Sequence, residues 1–141
     1  ISGINFECTY TLKKGFIINA NCNYLVGKTI DNSPLAHIPP FNANLNIEYS
    51  IKNNNITFNT KYNGWKKAKD YDLAGIDNLE EATINGSPSW HTINLYYSYK
   101  LDDTFILGVD IKNIFDVHYK TFSSALSASG RNFILSLYTN F

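Results

Sequence analysis

The strongest constraint in this sequence is a period-two alternation of apolar and polar residues that recurs in seven long segments. Between residues 4 and 12, apolar side chains occupy the even positions, and Asn, Glu and Thr occupy the odd ones. Because successive side chains of a strand point to opposite faces, this pattern predicts a strand with one apolar face. The alternation predicts strands over residues 4–12, 16–26, 41–51, 56–63, 92–99, 105–112 and 132–141.

The lengths of these strands and of their connections favour a membrane-spanning sheet. Segments of roughly 8 to 11 residues match a tilted strand that crosses a bilayer, whereas strands of globular proteins average about 5 to 6. Short turns at 13–15, 52–55 and 101–103 alternate with long loops at 27–40, 64–89 and 116–130. Outer-membrane barrels join their strands in this way, with short periplasmic turns and long extracellular loops.

The polar face of the predicted strands is unusually rich in asparagine. The chain contains 19 Asn, although Asn is depleted in ordinary strands. A face of short amides suits a water-filled or plugged lumen, while the other face meets lipid. Aromatic residues near strand ends suit the girdles at the membrane interfaces. Polar-face positions are Asn5, Asn19, Asn21, Asn23, Asn42, Asn44, Asn46, Asn59, Asn63, Asn94, Asn132 and Asn140; girdle positions are Tyr10, Tyr24, Phe41, Tyr49, Tyr62, Tyr97, Tyr99 and Phe141.

These features together predict an all-β, antiparallel, up-and-down transmembrane barrel segment. A soluble sandwich or calycin-like barrel also alternates and is the alternative. Closed single-chain bacterial barrels have even strand numbers from eight upward, and an open edge in lipid leaves costly unsatisfied backbone groups. We therefore expect the seven strands either to pair with another polypeptide or to be part of a much larger barrel.

Composition and motifs argue against several other classes of protein. Twelve basic and twelve acidic residues give a net charge of zero, so there is no electrostatic footprint for nucleic acid. We find no sequence motif of a hydrolase, metalloprotease or P-loop protein, so we predict no enzyme activity and no cofactor. The two cysteines are too few for a disulfide scaffold.

A set of short motifs gives the chain a family likeness along its whole length. It resembles the C-terminal part of the barrel of a TonB-dependent outer-membrane receptor, in the version common among Bacteroidetes. Proline fixes its own backbone and restrains its neighbour, which suits the entry to the third strand. The motif residues are Pro39 and Pro40, residues 87–90 (Ser-Pro-Ser-Trp), residues 109–116 with Asn113, Phe115 and Asp116, Tyr119, then Gly130, Arg131 and Asn132, and a final Phe141.

The resemblance implies a barrel of roughly 22 strands that an N-terminal plug closes. It implies import of a scarce nutrient, of the ferric siderophore, heme or cobalamin class, with energy transmitted by TonB. The implied partners are the plug and N-terminal strands of the same receptor, or another chain that completes the barrel, together with lipid, the TonB complex and a small-molecule cargo. The implied location is the outer membrane of a Gram-negative bacterium. The alternative is a small or partial barrel with a structural or assembly role and no active import.

Candidate site residues lie in the loops and in the last strand. His37, Trp65, Tyr71 and Trp90 are candidate cargo contacts, and the mixed-charge loop 64–89 is a candidate extracellular lid. The resemblance implies that the last strand carries a signal for the barrel-assembly machinery. If residues 13–15 form the first hairpin turn, Cys8 lies opposite Ala20 and Cys22 opposite Phe6, and the two thiols are diagonal and free. The residues of the assembly signal are Phe133, Leu135, Leu137 and Phe141.

Overall fold

The computed structural model describes residues 1–139, and seven long strands within them form one antiparallel sheet in which they lie side by side in chain order. Each strand therefore pairs with its sequence neighbour in the sheet, as in an up-and-down barrel wall. Asn140 and Phe141 lie outside the described residues, and so does the part of the assembly signal assigned to Phe141. The strands are β1 (Ser2–Thr11), β2 (Phe16–Val26), β3 (Asn42–Ile51), β4 (Asn54–Asn63), β5 (Lys66–Lys67), β6 (Gly86–Ser87), β7 (Trp90–Lys100), β8 (Phe105–Lys112) and β9 (Asn132–Thr139).

The predicted strands are confirmed, with small differences at their ends. The second turn shortens to Lys52 and Asn53, because Asn54 and Asn55 pair with the end of β3. Lys52 has a φ of 51° in this turn. The loop at 64–89 holds the short pair β5–β6 and two single-turn 3₁₀ helices, Ala68–Asp70 and Leu79–Glu81. The last long loop begins at Asn113 rather than at Asp116.

The register of the first hairpin agrees with the prediction. Cys8 pairs with Ala20, and Cys22 pairs with Phe6. The two cysteines consequently occupy diagonal positions on one face, and both thiols are free. For a disulfide, the hairpin register would have to shift by two residues so that Cys8 and Cys22 faced each other directly, and the observed pairing would be lost.

The apolar face of the sheet is uncovered. Leu135 is 80% exposed, and Leu107 and Leu137 are exposed as well. The buried hydrophobic residues of the described chain are Ile38 and Tyr71, and both lie in loops. A soluble sandwich would instead pack this face into a dry core. The apolar face of this sheet is thus not the core of a sandwich.

The sheet has two open edges within residues 1–139. The outer side of β1 and the outer side of β9 carry no partner strand in the described part of the chain. All ten residues of β1 are solvent-exposed. Among the described residues, no helix has both the length and the apolar character needed to cross a membrane.

Candidate binding loops and the amide row that positions them

Three long loops lie at one end of the sheet, because long and short connections alternate along the chain. We call residues 27–41 loop A, residues 64–89 loop B and residues 113–131 loop C. The short turns after β1, β3 and β7 lie at the opposite end. The candidate site is therefore a cluster of loops supported by one end of a barrel wall.

A row of hydrogen-bonded amides crosses the polar face of the sheet. Asn19, Asn46, Asn59 and Asn94 are direct cross-strand partners on β2, β3, β4 and β7. The Asn59 Nδ2 donates to the Oδ1 atoms of Asn46 and Asn44, at 2.7 Å each. The Asn94 Nδ2 donates to Asn59 Oδ1, also at 2.7 Å. Asn59 and Asn94 are buried by their neighbours, so these amides satisfy one another instead of facing open water.

The amide row ends at loop C. The backbone N–H of Asn113 donates to Asn94 Oδ1 at 2.8 Å. The Asn113 side chain joins the two ends of loop C. Its Oδ1 accepts from the Val117 N–H at 2.9 Å. Its Nδ2 donates to the carbonyls of Val117 and Ser129 at 2.8 and 3.3 Å. Asn113 has a φ of 51°, a left-handed conformation that Asn tolerates better than most residues. The sheet thereby fixes both the start and the end of loop C.

Other motif residues meet across the neck of loop C. Asp116 Oδ1 accepts from the backbone N–H of Arg131 at 2.6 Å. A Cβ placed on Gly130 would lie 2.5 Å from the same oxygen, so a larger residue there would displace the Asp116 carboxylate from its bond to Arg131. Asn132 pairs with Lys112 at the start of β9, and Phe115 is exposed. The motif residues between 109 and 132 therefore hold the start and the end of loop C together.

Two buried ionisable side chains join loop B to loop A. The Lys66 ammonium donates to the carbonyl of Ile38 at 2.6 Å. Asp77, which is fully buried, accepts from the backbone N–H of His37 through Oδ1 at 2.9 Å. The His37 Nδ1 lies 3.5 Å from the same oxygen. Asp77 Oδ2 has no hydrogen-bond partner within residues 1–139.

The electrostatics of loop B follow from this burial. Burial lowers the pKa of Lys66, and the nearby carboxylates of Asp77, Asp70 and Asp72 oppose that shift. At Asp72, desolvation raises the pKa, but the N–H donors of Ile76, Asp77 and Ala74 together outweigh it and lower the pKa overall. The Asp72 carboxylate accepts these three bonds at 2.9 to 3.1 Å. Asp72 thus shapes the turn that carries Asp77 into the interior of the loops.

Loop B also packs against loop C. The ring of Tyr71 meets Phe122 edge-on at 5.7 Å between centroids, and its hydroxyl bonds Ser87 Oγ at 2.8 Å. The Asn78 Nδ2 donates to the Ser123 carbonyl at 3.0 Å. Loop B is therefore held on both sides, between loops A and C.

The four candidate cargo residues lie in different surroundings. The His37 side chain is largely exposed above Asp77. Trp65 is 49% exposed and donates from Nε1 to the Asn85 carbonyl at 3.0 Å. Tyr71 is buried inside the loop cluster. The Trp90 ring lies against Tyr119 at 4.2 Å between centroids, with the ring planes tilted by 33°. The structure does not bring these four side chains together in one site.

Two cavities lie among the loops. One, of about 340 Å³, is lined by Trp90, Tyr119 and Pro88, together with parts of loops B and C. The other, of about 380 Å³, lies between loop A, the ends of β2 and β4, and the start of loop B. We call this second cavity the rim cleft. Sequence reasoning missed both, because they form where loops distant in sequence meet; the prolines of residues 34–40 were the only available sign of an ordered loop A.

Comparisons with known proteins give a match in fold. No family model and no curated protein matches the chain. The copper transporter OprC matches 99% of the chain at 18% identity with a TM-score of 0.81. A mutant of the ferric enterobactin receptor PfeA from Pseudomonas aeruginosa matches 99% at 21% identity and a TM-score of 0.76. The FrpB iron transporter from Neisseria meningitidis matches 99% at 15% identity and a TM-score of 0.75.

These matches confirm the predicted fold of a TonB-dependent receptor barrel segment. The chain spans only 22 to 23% of the length of these three proteins. All three are named as transporters or receptors. The narrower likeness to receptors of Bacteroidetes has no support among them.

Proposed function

We propose that the chain forms seven strands of the C-terminal barrel wall of an outer-membrane receptor that imports a scarce nutrient with energy transmitted by TonB. The nutrient is of the ferric siderophore, heme or cobalamin class. The plug and the N-terminal strands belong to the remainder of the same receptor. The long-loop end of the sheet faces the outside of the cell, and the amide-lined face borders the lumen.

The observation that carries this proposal is the match of the whole sheet, with its loops, to outer-membrane transporters, at a TM-score of 0.81 for the copper transporter. The uncovered apolar face supports the membrane placement, since exposed apolar surface on this scale marks an interaction surface. The printed names of the matched proteins refer to copper, ferric enterobactin and iron. A metal-bearing cargo is therefore our first choice.

Within this function, loops A, B and C form one part of the outer mouth of the barrel. His37, Trp65 and Trp90 remain candidate cargo contacts, because each offers an exposed or cavity-lining ring. Tyr71 acts on cargo only through the packing of loop B. On β9, Phe133, Leu135 and Leu137 lie on the exposed apolar face, and we propose that they contact the barrel-assembly machinery.

The test is cargo uptake by the complete receptor in cells that lack competing receptors. Radiolabelled ferric siderophore, heme iron and cobalamin are supplied separately, with and without a functional TonB protein. We expect uptake of one cargo class that is lost without TonB. Receptor that reaches the outer membrane but imports none of the three, or imports independently of TonB, would favour the structural role instead.

A loop variant connects this test to the present chain. Lys66→Met removes the ammonium that holds the Ile38 carbonyl while keeping a long side chain. We expect weaker cargo binding at an unchanged amount of receptor in the outer membrane, because loop A loses its attachment to loop B. Lys67→Met is the matched control, since Lys67 is exposed at the next position.

A further inference from the structure

The cavity of about 340 Å³ between loops B and C, which we call the B–C cavity, lies on the amide-lined side of the sheet. Of its lining residues, Trp90 belongs to one of the seven long strands. Trp90 is the direct cross-strand partner of Asn63, and it lies four residues before Asn94 on the same strand. Because successive side chains of a strand alternate between faces, Trp90 shares the face of these two amides. In the placement of the proposed function, the cavity therefore lies on the lumen side of the outer mouth.

Both walls of the B–C cavity are held by hydrogen bonds within their own loops. On the loop B side, the backbones of Thr83 and Gly86 bond each other in both directions, at 3.1 and 2.8 Å. On the loop C side, the Ala128 N–H donates to the Tyr119 carbonyl at 2.8 Å. The Tyr119 ring in turn lies 4.2 Å from the Trp90 ring, measured between centroids. A cavity whose walls are already ordered binds a ligand at a lower entropic cost.

The charged side chains at the B–C cavity neutralise each other. The Lys120 ammonium lies 3.4 Å from Glu81 Oε2 and donates to the Glu81 carbonyl at 3.0 Å. The lining contains no other Lys, Arg, Asp or Glu. An ionic ligand would therefore find no uncompensated charge in this cavity, and the lining favours an uncharged group.

The rest of the lining combines aromatic surface with a neutral hydrogen-bonding group. Trp90 and Tyr119 supply two rings, and Pro88 and Val117 add apolar contact. The exposed hydroxyl of Ser89 can both donate and accept a hydrogen bond. Aromatic rings attract one another in offset and edge-on arrangements beyond the effect of buried area. A saturated ring of the same size would gain the apolar contact but not this attraction, so the lining favours a flat aromatic ring.

We propose that the B–C cavity binds an uncharged aromatic ring of the cargo. The ring lies against Trp90 and Tyr119, and a polar substituent of the ring bonds the Ser89 hydroxyl. The cavity volume of about 340 Å³ is near the lower end of the usual range for small-molecule pockets, about 300 to 1,000 Å³, so it holds one part of a metal-bearing cargo. The inference rests on the proposed function and narrows its cargo to molecules that carry an aromatic ring.

The test is a titration of the complete receptor with phenol and with cyclohexanol, two neutral alcohols of similar size that differ in aromaticity. The receptor carries fluorinated tryptophan, and the fluorine NMR signal of Trp90 is assigned by its loss in Trp90→Phe. We expect this signal to shift at a phenol concentration about two- to tenfold lower than the cyclohexanol concentration, the size of one aromatic ring contact. Tyr119→Leu should remove this preference, whereas Tyr119→Phe, which keeps the ring, should retain it.

Tyr24→Leu is the matched control, because Tyr24 lines the rim cleft instead of the B–C cavity. It should leave the preference for phenol at Trp90 unchanged. A Trp90 signal that does not respond to phenol, that responds equally to both alcohols, or that keeps its preference in Tyr119→Leu would overturn the proposal. Cargo uptake by the same receptor is measured separately. A receptor that imports cargo but shows no phenol preference lacks this ring site, whereas one that shows the preference but imports no cargo contradicts the proposed function.

Discussion

Asn59 is the residue on which the amide row depends most. Its Nδ2 serves two acceptors and its Oδ1 serves one donor, and the side chain is buried. Asn59→Ala would leave the amides of Asn44, Asn46 and Asn94 without these partners. We expect a loss of about 1 to 3 kcal/mol in the free energy of unfolding, the cost of unsatisfied buried polar groups. Urea-dependent unfolding of the complete receptor in lipid vesicles measures this loss.

Asn5 provides the matched control for Asn59. It lies on the same face but on β1, where its side chain is exposed. Asn5→Ala should change stability by less than about 0.5 kcal/mol. If Asn59→Ala and Asn5→Ala had the same free energy of unfolding, the hydrogen bonds of the amide row would add no stability beyond that of hydrated amides.

Asp72 gives loop B a dependence on pH. Its pKa in the folded loop lies below the ordinary value of 3.8, so its contribution to loop stability is full at higher pH and is lost as pH falls through the folded pKa. Hydrogen exchange at Ala74, Ile76 and Asp77, corrected for the intrinsic rate at each pH, should show protection that falls below pH 3.8.

The variant Asp72→Asn isolates that effect. Its neutral side chain should reduce protection of the same amides already at neutral pH, because one acceptor oxygen becomes an NH₂ group. It should also remove the acid dependence. Asp31→Asn, at an exposed position in loop A, should change neither the protection at neutral pH nor its acid dependence. If the acid dependence persisted in Asp72→Asn, a group other than Asp72 would cause it.

At the residue scale, sequence predicts which face a side chain occupies but not what it contacts. The alternation correctly places Asn59 and Asn94 on the polar face. That they bond each other follows from the register, which makes them direct cross-strand partners. Tyr71 lies in a polar segment that is typical of a surface loop. Its side chain is nevertheless buried, because Phe122, which is distant in sequence, packs against its ring.

A charged side chain should destabilise the apolar face of β8 and β9 much more than their polar face. Leu107 is exposed on the apolar face, whereas Ser136 of the adjoining strand lies on the polar face opposite Gly108. Leu107→Arg should cost about 2 to 4 kcal/mol of folding free energy if it lies near the bilayer centre. Ser136→Arg should cost much less, because its side chain reaches the aqueous lumen. Folding of the complete receptor into vesicles compares the two, and equal costs would contradict the assignment of faces.

At the scale of elements, long strands were predictable and loop structure was not. An alternation of apolar and polar residues over about ten positions has few explanations other than a strand. This alternation alone predicted all seven strands of the main sheet. Loop B contains a short strand pair and two 3₁₀ turns that no local pattern indicates. Their formation depends on Lys66, Asp77 and Tyr71 finding partners in other loops.

For the molecule as a whole, the open edges of β1 and β9 determine what the chain can do alone. Each edge would expose a row of unpaired backbone groups to hydrocarbon, at several kcal/mol per group. We expect residues 1–141 alone to remain unfolded or aggregated when added to lipid vesicles, and to fold when the remaining strands of the receptor are supplied as a second polypeptide. The shift in electrophoretic mobility on heating, together with resistance to protease, measures folding. A protease-resistant monomer formed by residues 1–141 alone would mean that β1 pairs with β9, and the wall would then be a small closed barrel instead of a segment of a larger one.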